Sequence, residues 1–351
     1  MSHNWPYVVA LLVAWLGTDL LIPHVVRLAK LIGKMDVPDA RKVHKEPIPR
    51  LGGIAIFLGS ILSLVTIELL QPGFFTKQSH WYGIIIGSSL MFLLGVIDDL
   101  KTLSAKFKFV YQIGAALIAY YMGIKILVLS NPMGGMLILP DWLSMFMTVF
   151  WLVGITNTIN LIDGLDGLAA GVSMIAGITL SIIAIQTNQY LGAVIILTLV
   201  GSTIGFLRYN FNPAKIFMGD SGSLFLGFTL AAISITGVLK LAATVTILLP
   251  LLILGVPIFD TTFAIVRRAL SGKPIFQPDK GHLHHRLLGI GLSQRRVVIV
   301  IYGISSLLAG ISLHLIGLKI GNTVIIVSIL MLLLGLVNVR KITKRVIKRQ
   351  N

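Results

Sequence analysis

Long apolar runs follow one another along almost the whole chain, and that feature limits what it can fold into more than any other. A helix needs about 20 apolar residues to cross the hydrocarbon core of a bilayer. Eleven runs meet or approach that length: 5–28, 52–70, 81–97, 109–124, 142–159, 168–186, 190–207, 224–239, 241–263, 297–316 and 323–339. Of the 351 residues, 56% are hydrophobic and only 12% charged, against roughly 25% charged in soluble domains. A soluble chain of this make-up could not cover its own core, whereas lipid solvates an apolar outer face. The expectation is a single all-α integral membrane domain over residues 1–351, with about eleven transmembrane helices. The first run carries Asp19 and Pro23 and has neither a basic start nor a small-residue cleavage site. It therefore reads as a span and not as a signal peptide.

The basic residues orient these spans. Of the 29 Lys and Arg residues, 25 fall in loops on one side and four, Lys77, Lys125, Lys240 and Lys319, on the other. The positive-inside rule makes the richer side cytoplasmic, with the N-terminus outside and the C-terminus inside. The formal net charge of +16 is then topology signal and attraction to anionic lipid headgroups, not a nucleic-acid footprint. On the outer side, short apolar stretches at 124–129 and 136–139 flank Asn131-Pro132-Met133-Gly134-Gly135, which predicts a small external β-hairpin. There is no cysteine, which excludes disulfides and thiolate metal sites.

With only 13 acidic residues, each one can be placed. Asp98, Asp99, Asp163, Asp166, Asp220 and Asp260 all lie at or near the inner ends of spans. Ionisable groups at membrane depth are costly, and they point to function. Helix capping is the bland alternative, since Asp is a favoured N-cap. It accounts for Asp99 or Asp163 singly better than for the set. The adjacent pair Asp98-Asp99 repels unless one member binds a cation or a proton, and Lys101 and Lys108 follow closely enough to meet a phosphate. In Asn157-Thr158-Ile159-Asn160-Leu161-Ile162-Asp163-Gly164-Leu165-Asp166-Gly167, two amides and two carboxylates offer hard oxygen ligands, and the glycines allow close backbone approach. Phe217-Met218-Gly219-Asp220-Ser221-Gly222-Ser223 places another Asp between glycines just before a span. Oxygen donors without cysteine favour magnesium or manganese over zinc. Metal and basic loops together imply an anionic, phosphorylated substrate at the inner membrane surface. Finally, Asp279-Lys280-Gly281-His282-Leu283-His284-His285-Arg286 gathers three histidines in four residues. This is not the spacing of a helical zinc hydrolase. It suits phosphate binding or proton transfer, the bland reading being a solvated basic turn.

Taken in order, these motifs resemble the polyprenyl-phosphate N-acetylhexosamine-1-phosphate transferases, in particular the bacterial undecaprenyl-phosphate GlcNAc-1-phosphate transferase branch. The resemblance covers nearly the whole chain. It rests on Asp36-Val37-Pro38-Asp39-Ala40-Arg41-Lys42-Val43-His44, Pro49-Arg50-Leu51-Gly52-Gly53, Asp98-Asp99, residues 157–167, residues 210–223 and His282-Leu283-His284-His285-Arg286. The related phospho-MurNAc-pentapeptide translocases typically carry Pro-Thr-Met-Gly-Gly, and a triple histidine followed by Phe-Glu, at the corresponding places. The residues found here favour the GlcNAc branch.

The resemblance implies that UDP-GlcNAc and undecaprenyl phosphate give undecaprenyl-diphosphate-GlcNAc and UMP, in a bacterial cell membrane with the site on its cytoplasmic face. It implies magnesium held at Asn160 and Asp220, uracil stacked on Phe217, and nucleotide contacts at Asn210 and Lys45. Lys101, Lys108, Asp166, His282, His284, His285 and Arg286 complete the substrate side, and Asp98, Asp99 and Asp163 are the catalytic candidates. Direct attack by the lipid phosphate, assisted by Asp98, is favoured, and a covalent Asp intermediate stays open. A homodimer is compatible with the sequence. Two rivals are weaker. The CDP-alcohol phosphotransferase motif D-x-x-D-G-x-x-A-R fails at Gly171, and no Asp follows until Asp220. A transporter would place its charges nearer mid-membrane.

Overall fold

The computed structural model describes residues 4–37, 46–76, 80–130, 135–238, 248–272 and 281–333. Its helices are α1 (Trp5–Leu31), α2 (Gly52–Leu70), α3 (His80–Lys101), α4 (Ala105–Tyr121), α5 (Asp141–Ile162), α6 (Leu168–Gln186), α7 (Tyr190–Asn210), α8 (Gly219–Val238), α9 (Leu248–Ile253), α10 (Gly255–Leu270), α11 (Leu283–Gly289) and α12 (Gln294–Leu315). Helices dominate because a bilayer offers the backbone no hydrogen-bond partner, so each segment satisfies its own. Among the described residues, seven helices are long and apolar enough to cross a membrane: α1, α2, α3, α5, α6, α7 and α12. The four other predicted runs fall on α4, on α8, on α9 with α10, and on a shorter apolar helix, Ile320–Leu333. The 241–263 run is broken where Gly255 and Pro257 open α10, as suits a residue that lacks an N–H and tolerates only the first turn of a helix.

Small residues set the tightest contacts. Gly201 and Gly205 on α7 lie against the α1 backbone, where an added Cβ would meet Leu11 and Ala14 at the first position and Trp15 and Thr18 at the second. Gly59 on α2 faces Thr18 of α1 in the same way. This is the small-xxx-small seam of membrane helices, where close van der Waals packing replaces a hydrophobic driving force. α8 packs centrally, against α2, α3, α5 and α6.

The predicted hairpin is present as β3 (Val128–Ser130) paired antiparallel with β4 (Met136–Ile138), Val128 opposite Ile138. Its Pro132 turn lies outside the described residues. A second ribbon, β1 (Met35–Asp36) with β2 (Ile48–Pro49), was not predicted.

From α1 to α8 successive helices alternate in direction, and α9 with α10 forms one interrupted run. One end of the bundle therefore collects the last residues of α1, α3, α5, α7 and α10 with the first residues of α2, α4, α6, α8 and α12. Bonds between these segments tie that end together, among them Lys34 Nζ to the Leu100 carbonyl at 2.7 Å and Asn212 Nδ2 to Gln294 Oε1 at 2.9 Å.

Candidate active site

The centre of this end is the start of α8. Gly219, at φ +72°, turns the chain so that the first amides of the helix point outward, and Asp99 receives them. Its Oδ1 accepts the Asp220 N–H at 2.9 Å and its Oδ2 the Ser221 N–H at 3.0 Å. A carboxylate in this position satisfies orphan helix donors and complements the helix dipole. Its side chain is fully buried, and Arg50 Nη2 stands 3.8 Å away. A Cβ at Gly219 would press on the same carboxylate.

Asp98, one residue earlier, points elsewhere. Its Oδ1 accepts the Leu103 N–H at 2.6 Å, and its Oδ2 lies 3.1 Å from Lys108 Nζ. The same ammonium lies 2.9 Å from Asp220 Oδ2, so one amine sits between two carboxylates. Asn160 Nδ2, from the last turn of α5, reaches Asp220 Oδ1 at 3.1 Å and Ser223 Oγ at 2.8 Å. Four helices, α3, α4, α5 and α8, thus converge on Asp220. One turn deeper on α4, Gln112 Oε1 accepts from Asn157 Nδ2 of α5 at 2.7 Å, continuing the polar seam inward.

A second wall comes from α2. Leu51 adopts φ 113° at its N-terminus, a region sparsely populated by side-chain-bearing residues. The backbone is held there by pairing: Gly52 N–H to the Phe217 carbonyl at 2.9 Å, Gly53 N–H to the Met218 carbonyl at 2.8 Å and Phe217 N–H to the Pro49 carbonyl at 2.8 Å. A Cβ at Gly53 would overlap the Gly222 backbone.

The turn between α5 and α6 brings the remaining acids. Asp166 Oδ2 accepts from Asn212 Nδ2 at 2.9 Å and from the Ala214 N–H at 3.0 Å, which fixes the 212–214 loop. Asn210 is buried, and both ends of its amide are engaged: Oδ1 with the Gly167 N–H and Nδ2 with the Ile216 carbonyl, each at 2.9 Å. The structure makes Asn210 a brace between two site loops. Asp163 receives no side-chain hydrogen bond among the described residues. Burial, and then the neighbouring Asp220, push its carboxyl up to about 7, against the pull of Arg50.

The histidines dock on this turn. His284 is buried, and a Cβ at Gly164 would meet its ring nitrogen at 2.8 Å. Burial, with His285 adding to it, holds the His284 imidazole down to about 4, so it is neutral at pH 7. His282 is also buried, while Arg286 is exposed on α11. Lys101 is exposed at the end of α3, beside the cluster and not within it. Lys45 lies outside the described residues.

Among the described residues, no three His, Cys, Asp or Glu side chains form a complete metal cage. Asp220 and Asn160 offer an incomplete set of hard oxygen donors. Magnesium is commonly held by one or two carboxylates and completed by substrate phosphates, so the donor chemistry fits.

Comparison with known proteins places the chain in a family. A family model described as glycosyl transferase family 4 matches residues 81–238, which hold both the Asp98 pair and Asp220. A probable undecaprenyl-phosphate N-acetylglucosaminyl 1-phosphate transferase of Bacillus subtilis is 43% identical over 97% of each chain. The chain belongs to the polyprenyl-phosphate N-acetylhexosamine-1-phosphate transferase family. A decaprenyl-phosphate N-acetylglucosaminephosphotransferase of Mycobacterium tuberculosis is 39% identical over 78% of this transferase and 74% of its own length. A phospho-N-acetylmuramoyl-pentapeptide-transferase of Listeria monocytogenes is 32% identical over 87% and 95%. In this transferase the structure brings together Asp98, Asp99, Lys108, Asn160 and Asp220. It adds Gln112, which lies outside every motif, and gives contacts to two residues that lay within motifs without an assigned role: Asn212, which bonds Asp166, and Arg50, which joins Asp36 at 3.5 Å to the buried Asp99 at 3.8 Å.

Proposed function

We propose that this transferase moves GlcNAc-1-phosphate from UDP-GlcNAc to undecaprenyl phosphate, with magnesium, at the cytoplasmic surface of a bacterial cell membrane. The observation that carries the reading is the convergence of Asp98, Lys108, Asn160 and Asp220 at one end of an apolar helix bundle. Two anions must meet there, and the site supplies positive charge and hard oxygens where they would meet. The 25-to-4 distribution of basic residues supports the cytoplasmic side.

The roles follow from position. Asp220 and Asn160 would hold the divalent cation, which when bound offsets the charge of the pyrophosphate. Lys108 leaves its two carboxylates to pair with an incoming phosphate, keeping that charge countered during transfer. Asp98, next to Lys108, orients the lipid phosphate and takes its proton. One oxygen of that phosphate bonds to the β-phosphorus of UDP-GlcNAc, and the bond from that phosphorus to the bridging oxygen breaks, releasing UMP. Asp99 holds the start of α8 and therefore Asp220. Phe217 offers its ring to the uracil, and the histidine–arginine turn meets the phosphates.

The deciding assay is UMP release by purified protein with competing UDP-sugars. Release that needs both UDP-GlcNAc and a polyprenyl phosphate is expected. Preference for UDP-MurNAc-pentapeptide, or release without lipid, sinks the proposal. Asp220→Asn and Asn160→Ala should each shift the magnesium titration to higher concentration and nearly abolish turnover in protein that still inserts. An unchanged titration in both removes them from the site.

A further inference from the structure

Asp260 lies on α10, outside the cluster around Asp220, yet neither of its carboxylate oxygens is idle. Oδ2 is 3.0 Å from His282 Nδ1, and Oδ1 accepts the Leu283 N–H at 2.7 Å. Both side chains are nearly enclosed, 7% exposed for Asp260 and 10% for His282. A carboxylate only accepts, so Nδ1 of His282 carries a proton toward Asp260, and in the neutral imidazole this leaves the lone pair on Nε2. The His282 and His284 rings are parallel within 6°, with centroids 5.8 Å apart, and His284 rests on Gly164 beside Asp163. One carboxylate therefore sets the tautomer and tilt of one imidazole and pins the first turn of α11, which carries the other histidines.

We propose that Asp260 is a positioning residue for the transfer reaction, acting through His282 by presenting its Nε2 as a hydrogen-bond acceptor and proton carrier on the substrate side of the histidine turn. Carboxylates that orient metal-binding imidazoles contribute factors of about 10–100 when removed, and an effect of that size is expected here. The inference rests on the transferase reading above, and it makes Asp260 distinct from the metal-binding and lipid-phosphate groups.

The test is a double-mutant cycle in the full-length protein, with Asp260→Asn, His282→Gln and both together. Asp260→Asn should lower kcat about 10–100-fold with the KM for UDP-GlcNAc within about threefold of wild type. The double variant should be no slower than His282→Gln alone, because the two act as one unit. Multiplicative losses, or a loss confined to KM, overturn the proposal while leaving wild-type transfer intact. An inactive wild type would instead refute the transferase reading. A second measurement needs no variant and no turnover. Nitrogen-15 spectra of ring-labelled wild-type protein should show His282 protonated at Nδ1, and a proton found on Nε2 overturns the assignment.

Discussion

Two adjacent aspartates with different partners are given different tasks by the proposed reaction. Asp99 is buried against helix amides, whereas Asp98 shares an ammonium with Asp220. Asp98→Asn should retain measurable activity, lowered about 10²–10⁴-fold as for loss of a general base, and should bind UDP-GlcNAc normally in a calorimetric titration. A covalent nucleophile predicts a different pattern: labelled UMP would exchange into UDP-GlcNAc in rigorously delipidated enzyme, and Asp98→Asn would lose that exchange. Observation of such exchange would replace direct attack. His284 makes a prediction about stability. The unfolded chain takes a proton on this ring below its ordinary value of 6.5, whereas the folded protein refuses it until about 4. Between those values the unfolded state binds more protons, so the contribution of this ring to stability is complete above pH 6.5 and is lost as pH falls toward 4. The decline amounts to about 3 kcal/mol at most. Asp163, raised to about 7, adds stability as pH falls over the same range, so the test is the difference. Between pH 7 and pH 5, thermal unfolding in detergent should shift further toward lower stability in wild type than in His284→Gln, and equal shifts in both would assign the acid sensitivity elsewhere.

At the scale of elements, the start of α2 and the start of α8 form one joint. Gly53 packs on the Gly222 backbone, and backbone cannot move aside as a side-chain tip can. Gly53→Ala should therefore part the two helices and cost about 1–3 kcal/mol, with turnover falling more than stability because Asp220 moves with its helix. A melting temperature and turnover both equal to wild type would show that the joint is loose. This joint also marks the boundary of what could be read in advance. Acids are so rare in this chain that Asp98, Asp99, Asp163, Asp166 and Asp220 identify themselves by standing at helix ends, and their company of amides and glycines gives the chemistry. The hairpin at 128–138 was visible in its turn residues and flanking apolar stretches. Nothing local announces that Pro49 to Gly53 pairs with Phe217 and Met218, that Asn210 is filled by two backbone partners, or that Gln112 finds Asn157. Those facts depend on which helix lies beside which, and apolar runs of similar composition carry no address. The break that creates α9 and α10 is intermediate: Pro250 and Pro257 are plain in the sequence, but a membrane helix tolerates proline, so their effect is decided by packing.

For the whole molecule, topology is the claim on which the reading of the site depends. The chain has no cysteine, so a single introduced thiol reports unambiguously. Thr76→Cys, at the far end from the site, should react with a membrane-impermeant maleimide in intact cells. Ser271→Cys, beyond α10, should react only after the membrane is opened. Labelling of the second in intact cells would place the site outside and remove its access to cytoplasmic nucleotide sugars. The joint between α2 and α8 also has a consequence in time. Its two sides are more than 160 residues apart in the chain, and synthesis proceeds at about 5–20 residues per second, so the early segment waits roughly 10–30 s for its partner to emerge. During that interval the amides of Gly52 and Gly53 lack their final acceptors, and the first helices cannot yet be locked to the rest. A nascent chain halted before Phe217 therefore cannot close this seam, which is completed only when the second motif has been made.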